Sequence, residues 1–576
     1  MKKVLSLLLV VMLALGALVA PAAATPIDEL TDLGRYFPAG TPIFATIRTD
    51  DAYIDTLDSV LATVADALPA DAGLDGVSLR ALLNMAFGFG MSFDADIRPW
   101  LGDSVALGLT SIDALTDADP FNDQEGVVIA IALADAEAAE AFFVDGMMQG
   151  DDFVTETVGD FTVYSSEAGD DGALAIGADV ALLGLGSVAD LQLDGDFTPL
   201  TADPAFTELT GLMPADEYNI FIYAALNDFF DAFVSMMTAD APGMDMQAFE
   251  MLQGLTASVG SYGLGFTVLD GRSLTIDLVG TLGDTSAIEA LGLPVLPTGT
   301  VDLAFANRIP AGTAIVTHAD NLRQIYDSFI AGFELGAQTS GDPEAGEEIG
   351  QALEQVDFII RGLTGLDLEE DILSWMTGDF AIHLGLSESA QEATSLFGFL
   401  GALPVDFGLL IEATEPDVAA NLASGLADAI DFAASQIDED DDLQLTVTNE
   451  TSAGTSVVVV TVDAPDLPFP LELLIAGNDE VFALGTRAAV EAALDPATGL
   501  NDDPQFNEAL AYVLDAPNQI HYLSGVSLQA LSALATTEDD QAVLESALGL
   551  ISSSTISSAV IGDNASAIRL VLTLPE

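Results

Sequence analysis

The sequence predicts an α+β fold used twice, each copy a mainly antiparallel sheet packed with helices. Three observations predict it. First, short motifs recur in the same order. Pro38-Ala39-Gly40-Thr41 returns as Pro310-Ala311-Gly312-Thr313, Asp96-Ile97-Arg98-Pro99-Trp100 as Asp371-Ile372-Leu373-Ser374-Trp375, and Asp203-Pro204-Ala205-Phe206 as Asp503-Pro504-Gln505-Phe506. Second, strand-like apolar runs alternate with stretches of helical periodicity. Third, neighbouring strand runs are joined by short connections, which favour antiparallel pairing.

Each copy opens on a strand, Ile43 to Ile47 or Ile315 to Thr317. A helix follows an acidic cap. Tyr53, Leu57, Val60, Leu61, Val64 and Leu68 recur at helical spacing after Asp50-Asp51, and Leu322, Ile325, Tyr326, Phe329, Ile330 and Phe333 do so after Asp320. Past the Trp motif come strands Ser104 to Leu109 and Val127 to Leu133, matched by Phe380 to Leu386 and Phe407 to Ile411. Short helices Ala136 to Asp145 and Pro416 to Ile430 lead to further strand runs, Phe161 to Tyr164 with Ala173 to Leu185, and Ser456 to Val462 with Leu471 to Leu484. Asp-Pro then starts a helix, with Pro at the first helical position. Strands Ile220 to Tyr223 and Ile520 to Leu523 and a final strand pair close each copy. Leu291 to Gly299, with Pro294 and Pro297, reads as the hinge. The expected organisation is a signal peptide over 1–24, a first repeat over 27–299 and a second over 300–576.

The N-terminus has the form of a secretory signal: Lys2 and Lys3, an apolar stretch from Val4 to Val19, and Ala22-Ala23-Ala24 as a small-residue cleavage site. That stretch is short for a bilayer span of about 20 residues. The expectation is a secreted or envelope-facing chain cleaved near Ala24; the alternative is an uncleaved N-terminal anchor. Cysteine is absent, which excludes disulfides, thiol nucleophiles and a lipidated cysteine. Half of the residues are apolar, so the chain can bury a large core despite a formal net charge of −80. Spread over a globule of this mass, those charges lie roughly 15 Å apart, beyond the Debye length of about 8 Å at physiological salt. A saline habitat is allowed, not required. No lysine lies beyond position 3, so phosphate-rich nucleic acid and anionic lipid surfaces are disfavoured, and cations, basic envelope components or an apolar ligand are the plausible partners.

The recurring motifs resemble a bacterial extracytoplasmic family known only as domain of unknown function 3352. The resemblance rests on the hydrophobic-Pro-Ala-x-Thr-x-hydrophobic opening, the Trp-x-Gly turn before a strand, and the Asp-Pro-x-Phe helix start. It implies an extracytoplasmic location, no established activity, and no catalytic residue to carry over.

Candidate chemistry is sparse. The two tryptophans, Trp100 and Trp375, occupy matching places; anchoring a turn explains the duplication better than a binding platform. All three histidines fall in the second copy. His318 matches Thr46, His383 matches Leu107, and His521 falls near Ile222. Alternation puts His383 opposite Phe380, Ile382 and Leu384, hence toward solvent. There is no Walker loop, nucleophile elbow, His-Glu-x-x-His or Gly-x-Gly-x-x-Gly. A hydrolase using two carboxylates remains an alternative, because that chemistry needs only two placed acids. No cofactor is expected. Calcium could be considered at Asp117-x-Asp119-x-x-x-Asp123-x-Glu125 or at Asp438 to Asp442, although the former lacks the EF-hand turn glycine and the latter reads as a solvated acidic run.

One asymmetry suggests a ligand site. Phe229, Phe230, Phe233, Met236, Met237, Met244, Met246, Phe249 and Met251 crowd one region of the first copy, whereas 527–550 in the second is rich in Ala, Leu and Ser. Phe233, Met236, Met237, Met244 and Phe249 are the apolar-ligand candidates, since flexible Met and Phe surfaces adapt to apolar guests. Ordinary core packing is the plainer account. The expected role is therefore a non-enzymatic binding or scaffolding protein, with a carrier of an apolar ligand such as a lipid as the alternative.

Overall fold

A computed structural model describes residues 24–58, 80, 92–111, 126–147, 153–166, 172–185, 191–193, 197–227, 229–230, 253–269, 273–290, 294–339, 351, 355, 357–362, 364–386, 405–415, 417–435, 444–463, 471–496, 499–530 and 548–574. The chain divides into two compact units. One comprises Met1–Met244, Phe249–Ala287 and Ile561–Glu576; the other comprises Asp245–Ala248 and Ile288–Val560.

In the first unit the strands are β1 (Ile43–Arg48), β2 (Leu101–Leu109), β3 (Val127–Leu133), β4 (Phe153–Val158), β5 (Phe161–Ser166), β6 (Ala173–Ile176), β7 (Val180–Gly184), β8 (Ile220–Ala225), β9 (Val259–Leu269) and β10 (Ser273–Leu282). The second contributes β11 (Thr313–Asp320), β12 (Asp379–Leu386), β13 (Val405–Glu412), β14 (Gln444–Ser452), β15 (Thr455–Asp463), β16 (Leu471–Gly477), β17 (Val481–Gly485), β18 (Gln519–Ser524) and β19 (Ser553–Ile561). The last strand, β20 (Ala565–Thr573), belongs to the first unit, where it pairs with β10.

All these pairings are antiparallel. The first sheet runs β20-β10-β9-β8-β1-β2-β3-β7-β6-β5-β4. The second runs β19-β18-β11-β12-β13-β17-β16-β15-β14. From β9 to β4 and from β19 to β14 the order is the same strand for strand, so the sequence repeat is a repeat of topology; the first sheet continues past β9 with β10 and β20. Compact unit and sequence repeat part company at the C-terminal strand, and also at Asp245–Ala248 and 288–299.

The recurring motifs prove to be turns, caps and anchors. Gly40 and Gly312 adopt φ of +78° and +75°, a conformation only glycine takes without strain. Thr41 and Thr313 each donate through Oγ1 to the carbonyl of the motif's first proline at 2.7 Å. Asp203 accepts from Ala205 N–H and, from across the fold, from Gly40 N–H, both at 2.9 Å. Asp503 caps its helix in the same way, accepting from Gln505 N–H at 2.8 Å. Opening turn and Asp-Pro helix thus meet in both units, with Leu200 and Leu500 donating backbone N–H to Phe37 and Ile309.

On one face of each sheet this assembly packs an aromatic core. Phe44 meets Phe206, whose ring lies 5.1 Å from Tyr223; Phe506 and Tyr522 repeat the contact at 5.1 Å. On the other face sit the tryptophans. Trp100 and Trp375 are buried, and their indole N–H groups donate to the carbonyls of Asp96 and Asp371. Trp100 packs against Phe142 and Phe143, while Trp375 joins Phe380, Ile411 and Phe482. Burial makes them anchors of the turn before the strand and removes them from any exposed platform.

Several sequence readings change. Ala173 to Leu185 and Leu471 to Leu484 are each two strands, folded back at Gly177–Asp179 and Asn478–Glu480. Ala136 to Asp145 is a short α-helix that widens into a π-helical stretch, Ala141–Met147. Strands β4 and β14 have no clear sequence signal, because they lie at sheet edges and most of their residues are exposed. In the helix Leu322–Thr339, Ile325 and Phe329 face outward although they belong to its apolar periodicity.

Candidate functional site

The most distinctive polar arrangement lies at one end of the second sheet. Asp320 ends β11 and stands directly across from Asp379, which opens β12. Asp379 is buried. Its Oδ2 accepts from the backbone N–H of Asp302 at 2.8 Å and lies 3.2 Å from His318 Nε2, while its own N–H donates to Glu412 at 3.1 Å. His318 is buried and stacked on Phe305, with ring centroids 5.6 Å apart. A cleft of about 270 Å³ opens beside Asp320, lined also by Thr298, Gln324, Asn518 and Gln519. Burial, then the neighbouring charges of Asp379 and Glu412, push the Asp320 carboxyl up to about 6.

The first unit solves the same place with opposite charge. Arg48 stands at the end of β1, where Asp320 stands on β11. It is buried, bridges Asp50 at 2.7 Å and donates to Asn219 Oδ1 at 3.0 Å, Asn219 being the counterpart of Asn518. A cleft of about 330 Å³ lies beside it, with Glu29, Asp103 and Ser104. The strand end that carries a cation in one unit carries a proton-binding carboxyl in the other. Among the described residues no grouping of three His, Asp or Glu could hold a metal ion. Asp379 is committed to Asp302 and His318, and Asp320 is the carboxyl that lines the cleft.

The remaining histidines serve packing. Alternation does place His383 opposite Ile382, but that side is a second core rather than solvent. His383 is buried, neither ring nitrogen has a hydrogen-bond partner among the described residues, and burial lowers its pKa to about 4. Half-buried His521 lies 3.0 Å from Thr317 Oγ1, and burial again favours its neutral form.

A second candidate is apolar. On the Trp-bearing face of the first sheet, Leu107, Ala45, Ile222, Leu264, Leu278 and Ile568 stand in register across six strands. Leu107 and Ile568 are each 43 % exposed, and the residues between them are half-buried. The next row, Ile47, Ile220, Phe266, Ile276 and Leu570, is equally apolar. In the second unit the matching row reads Ile382, Thr317, His521 and Ile556, so a polar pair interrupts it. This row gave no compositional signal, because its members are spread over the whole chain.

Of the sequence-derived ligand candidates, Phe233, Met236, Met237, Met244 and Phe249 lie outside the described residues. So do Asp117 to Glu125, Asp438 to Asp442 and residues 1–23. Phe229 and Phe230 are described and stack edge to face at 6.0 Å. No helix among the described residues is long and apolar enough to cross a membrane. Each of the nine described arginines lies against at least one carboxylate.

No curated protein matches the chain. Among solved structures, "Structure of crystal form III of TP0453" is 11 % identical over 46 % of this chain and 82 % of its own, with a TM-score of 0.22. "Structure of crystal form I of TP0453" is 12 % identical over 48 % and 90 %, with a TM-score of 0.23. Likenesses at such TM-scores carry no argument about this chain. The family model described as "Protein of unknown function (DUF3352)" matches two segments, residues 4–187 and 294–574, one in each repeat. The chain belongs to that family, in two tandem copies.

Proposed function

We propose that the protein is a secreted or envelope-associated, non-enzymatic binding protein whose first unit holds an apolar ligand such as a lipid. The observation that carries this reading is the uninterrupted apolar row from Leu107 to Ile568 on a sheet face that remains half-exposed. Apolar surface contiguous over several strands is what a hydrophobic guest covers. The second unit, with Thr317 and His521 in the same row, would serve as scaffold. The acidic surface and the paired arginines support the further reading that neither nucleic acid nor an anionic membrane is a partner. A hydrolase built on two carboxylates is the least supported reading, since Asp379 is occupied by Asp302 and His318.

Native mass spectrometry of protein purified from its own host tests the proposal directly: a co-purifying apolar mass supports it. In the purified chain, Leu107→Glu together with Ile47→Glu should leave the far-ultraviolet spectrum unchanged while uptake of a fluorescent hydrophobic probe falls at least about tenfold, the scale of burying one polar group on an apolar face. Unchanged uptake removes the ligand and leaves a scaffold.

A further inference from the structure

The pair β10 and β20 is a strand facing its own counterpart. Ile276-Asp277-Leu278-Val279 of the first repeat matches Ile568-Arg569-Leu570-Val571 of the second. In the sheet Asp277 faces Arg569, while Ile276 faces Leu570 and Leu278 faces Ile568. The pairing is therefore symmetric about the 277/569 position: each flanking residue opposes the counterpart of its mirror image. At that centre alone the two repeats carry opposite charges. Arg569 donates to Asp277 through Nε at 2.6 Å and through Nη2 at 2.8 Å, the two-pronged geometry that guanidinium and carboxylate favour. Asp277 is fully buried, and Tyr218 donates to it at 2.7 Å. Room for Tyr218 exists because the strand beside Asp277 carries Gly265, where any side chain would overlap the ring.

Every other position of this interface suits β10 against β10, or β20 against β20, about as well as β10 against β20. In the same register, like pairing would bury Asp277 against Asp277 or Arg569 against Arg569, each charge without its neutralising partner. We propose that the Asp277–Arg569 pair is a partner selector: it directs the C-terminal strand to the β10 edge of the first unit and rejects pairing between like strands of separate chains.

Full-length variants test this. Arg569→Asp alone and Asp277→Arg alone should each release β20, with hydrogen exchange at 565–573 accelerating at least about 100-fold, the scale set by breaking a buried ion pair. The double reversal Asp277→Arg/Arg569→Asp should restore protection. Mixing the two single variants should give a one-to-one complex by exchange of complementary strands, read by light scattering after size exclusion. The neutral variant Asp277→Asn/Arg569→Gln keeps polar shape without charge, so it should fold and self-associate more than the native chain. It decides the question even where the single reversals fail to fold. Wild-type protection in the single variants, no recovery in the double reversal, or a neutral variant no more associated than wild type would overturn the proposal.

Discussion

The ring of His383 fills the space that a side chain on Gly408, directly across from it on β13, would need. The first unit fills the same place differently: Phe37 reaches over Gly108, the counterpart of His383. Where the first unit has Phe37, Gly108 and Val128, the second has Ile309, His383 and Gly408. A large ring comes from the opening turn in one copy and from the strand in the other. Cores tolerate such exchanges when total volume is kept.

Gly408→Ala should accordingly destabilise the second unit by about 1–3 kcal/mol, the usual cost of overpacking. The triple change Ile309→Phe/His383→Gly/Gly408→Val transplants the other solution and should recover most of that loss. Denaturant midpoints for the two variants check both outcomes.

His383 also sets a pH dependence. Its folded pKa of about 4 lies below the ordinary value of 6.5, so the unfolded chain takes up the proton first. Stability should fall as pH drops from about 6.5 and level off near 4, by up to about 3 kcal/mol. His383→Met, similar in volume and without a proton to gain, should flatten that slope. Thermal midpoints at pH 7 and pH 4.5 measure it; an unchanged slope would show that another group carries it.

Asp320 acts in the opposite sense. Its carboxyl is raised to about 6 by burial and by Asp379 and Glu412, so the folded state holds the proton more tightly than the unfolded chain. The stabilisation is complete below the ordinary carboxylate pKa and is lost as pH rises through about 6. Asp320→Asn should raise the melting temperature at pH 8 and leave it nearly unchanged at pH 3.5. A gain confined to the acid side would contradict this assignment.

Asp277 should be the costliest single polar residue to remove. Asp277→Ala strands Arg569 in a buried site, at about 3–5 kcal/mol. Tyr218→Phe leaves the ion pair but removes one donor, at about 1–3 kcal/mol. Urea unfolding of both variants, with equal slopes, gives the comparison.

Asp203 and Asp503 head equivalent helices, yet only Asp203 is seen to accept also from Gly40. Replacing Asp503 by Ala should cost about 1 kcal/mol, the usual worth of a cap. Asp203→Ala should cost more, because the Gly40 N–H also loses its acceptor. Equal losses in urea would show that the link to the opening turn contributes nothing.

The sequence by itself determined the duplication, the fold class and the chemistry of the turns. Those features obey local rules: a glycine at positive φ, a proline at a helix start, a side-chain period of two or of 3.6. Alternation also assigned His383 to the correct side of β12, but could not tell that a second core covers that side. The edge strands β4 and β14 were silent, because each turns only a few apolar side chains to the core, Phe153 in one and Leu445 and Val447 in the other. The apolar row and the Arg48–Asp320 inversion were hidden for a related reason: their members come from strands far apart in the chain. Only the tertiary structure decided that β20 lies along β10, and so that Asp277 meets Arg569. Alone, each is an isolated charge in an apolar strand. Backbone hydrogen bonding along an open edge is indifferent to sequence distance, and the partner an edge accepts is fixed by the side chains that meet across it.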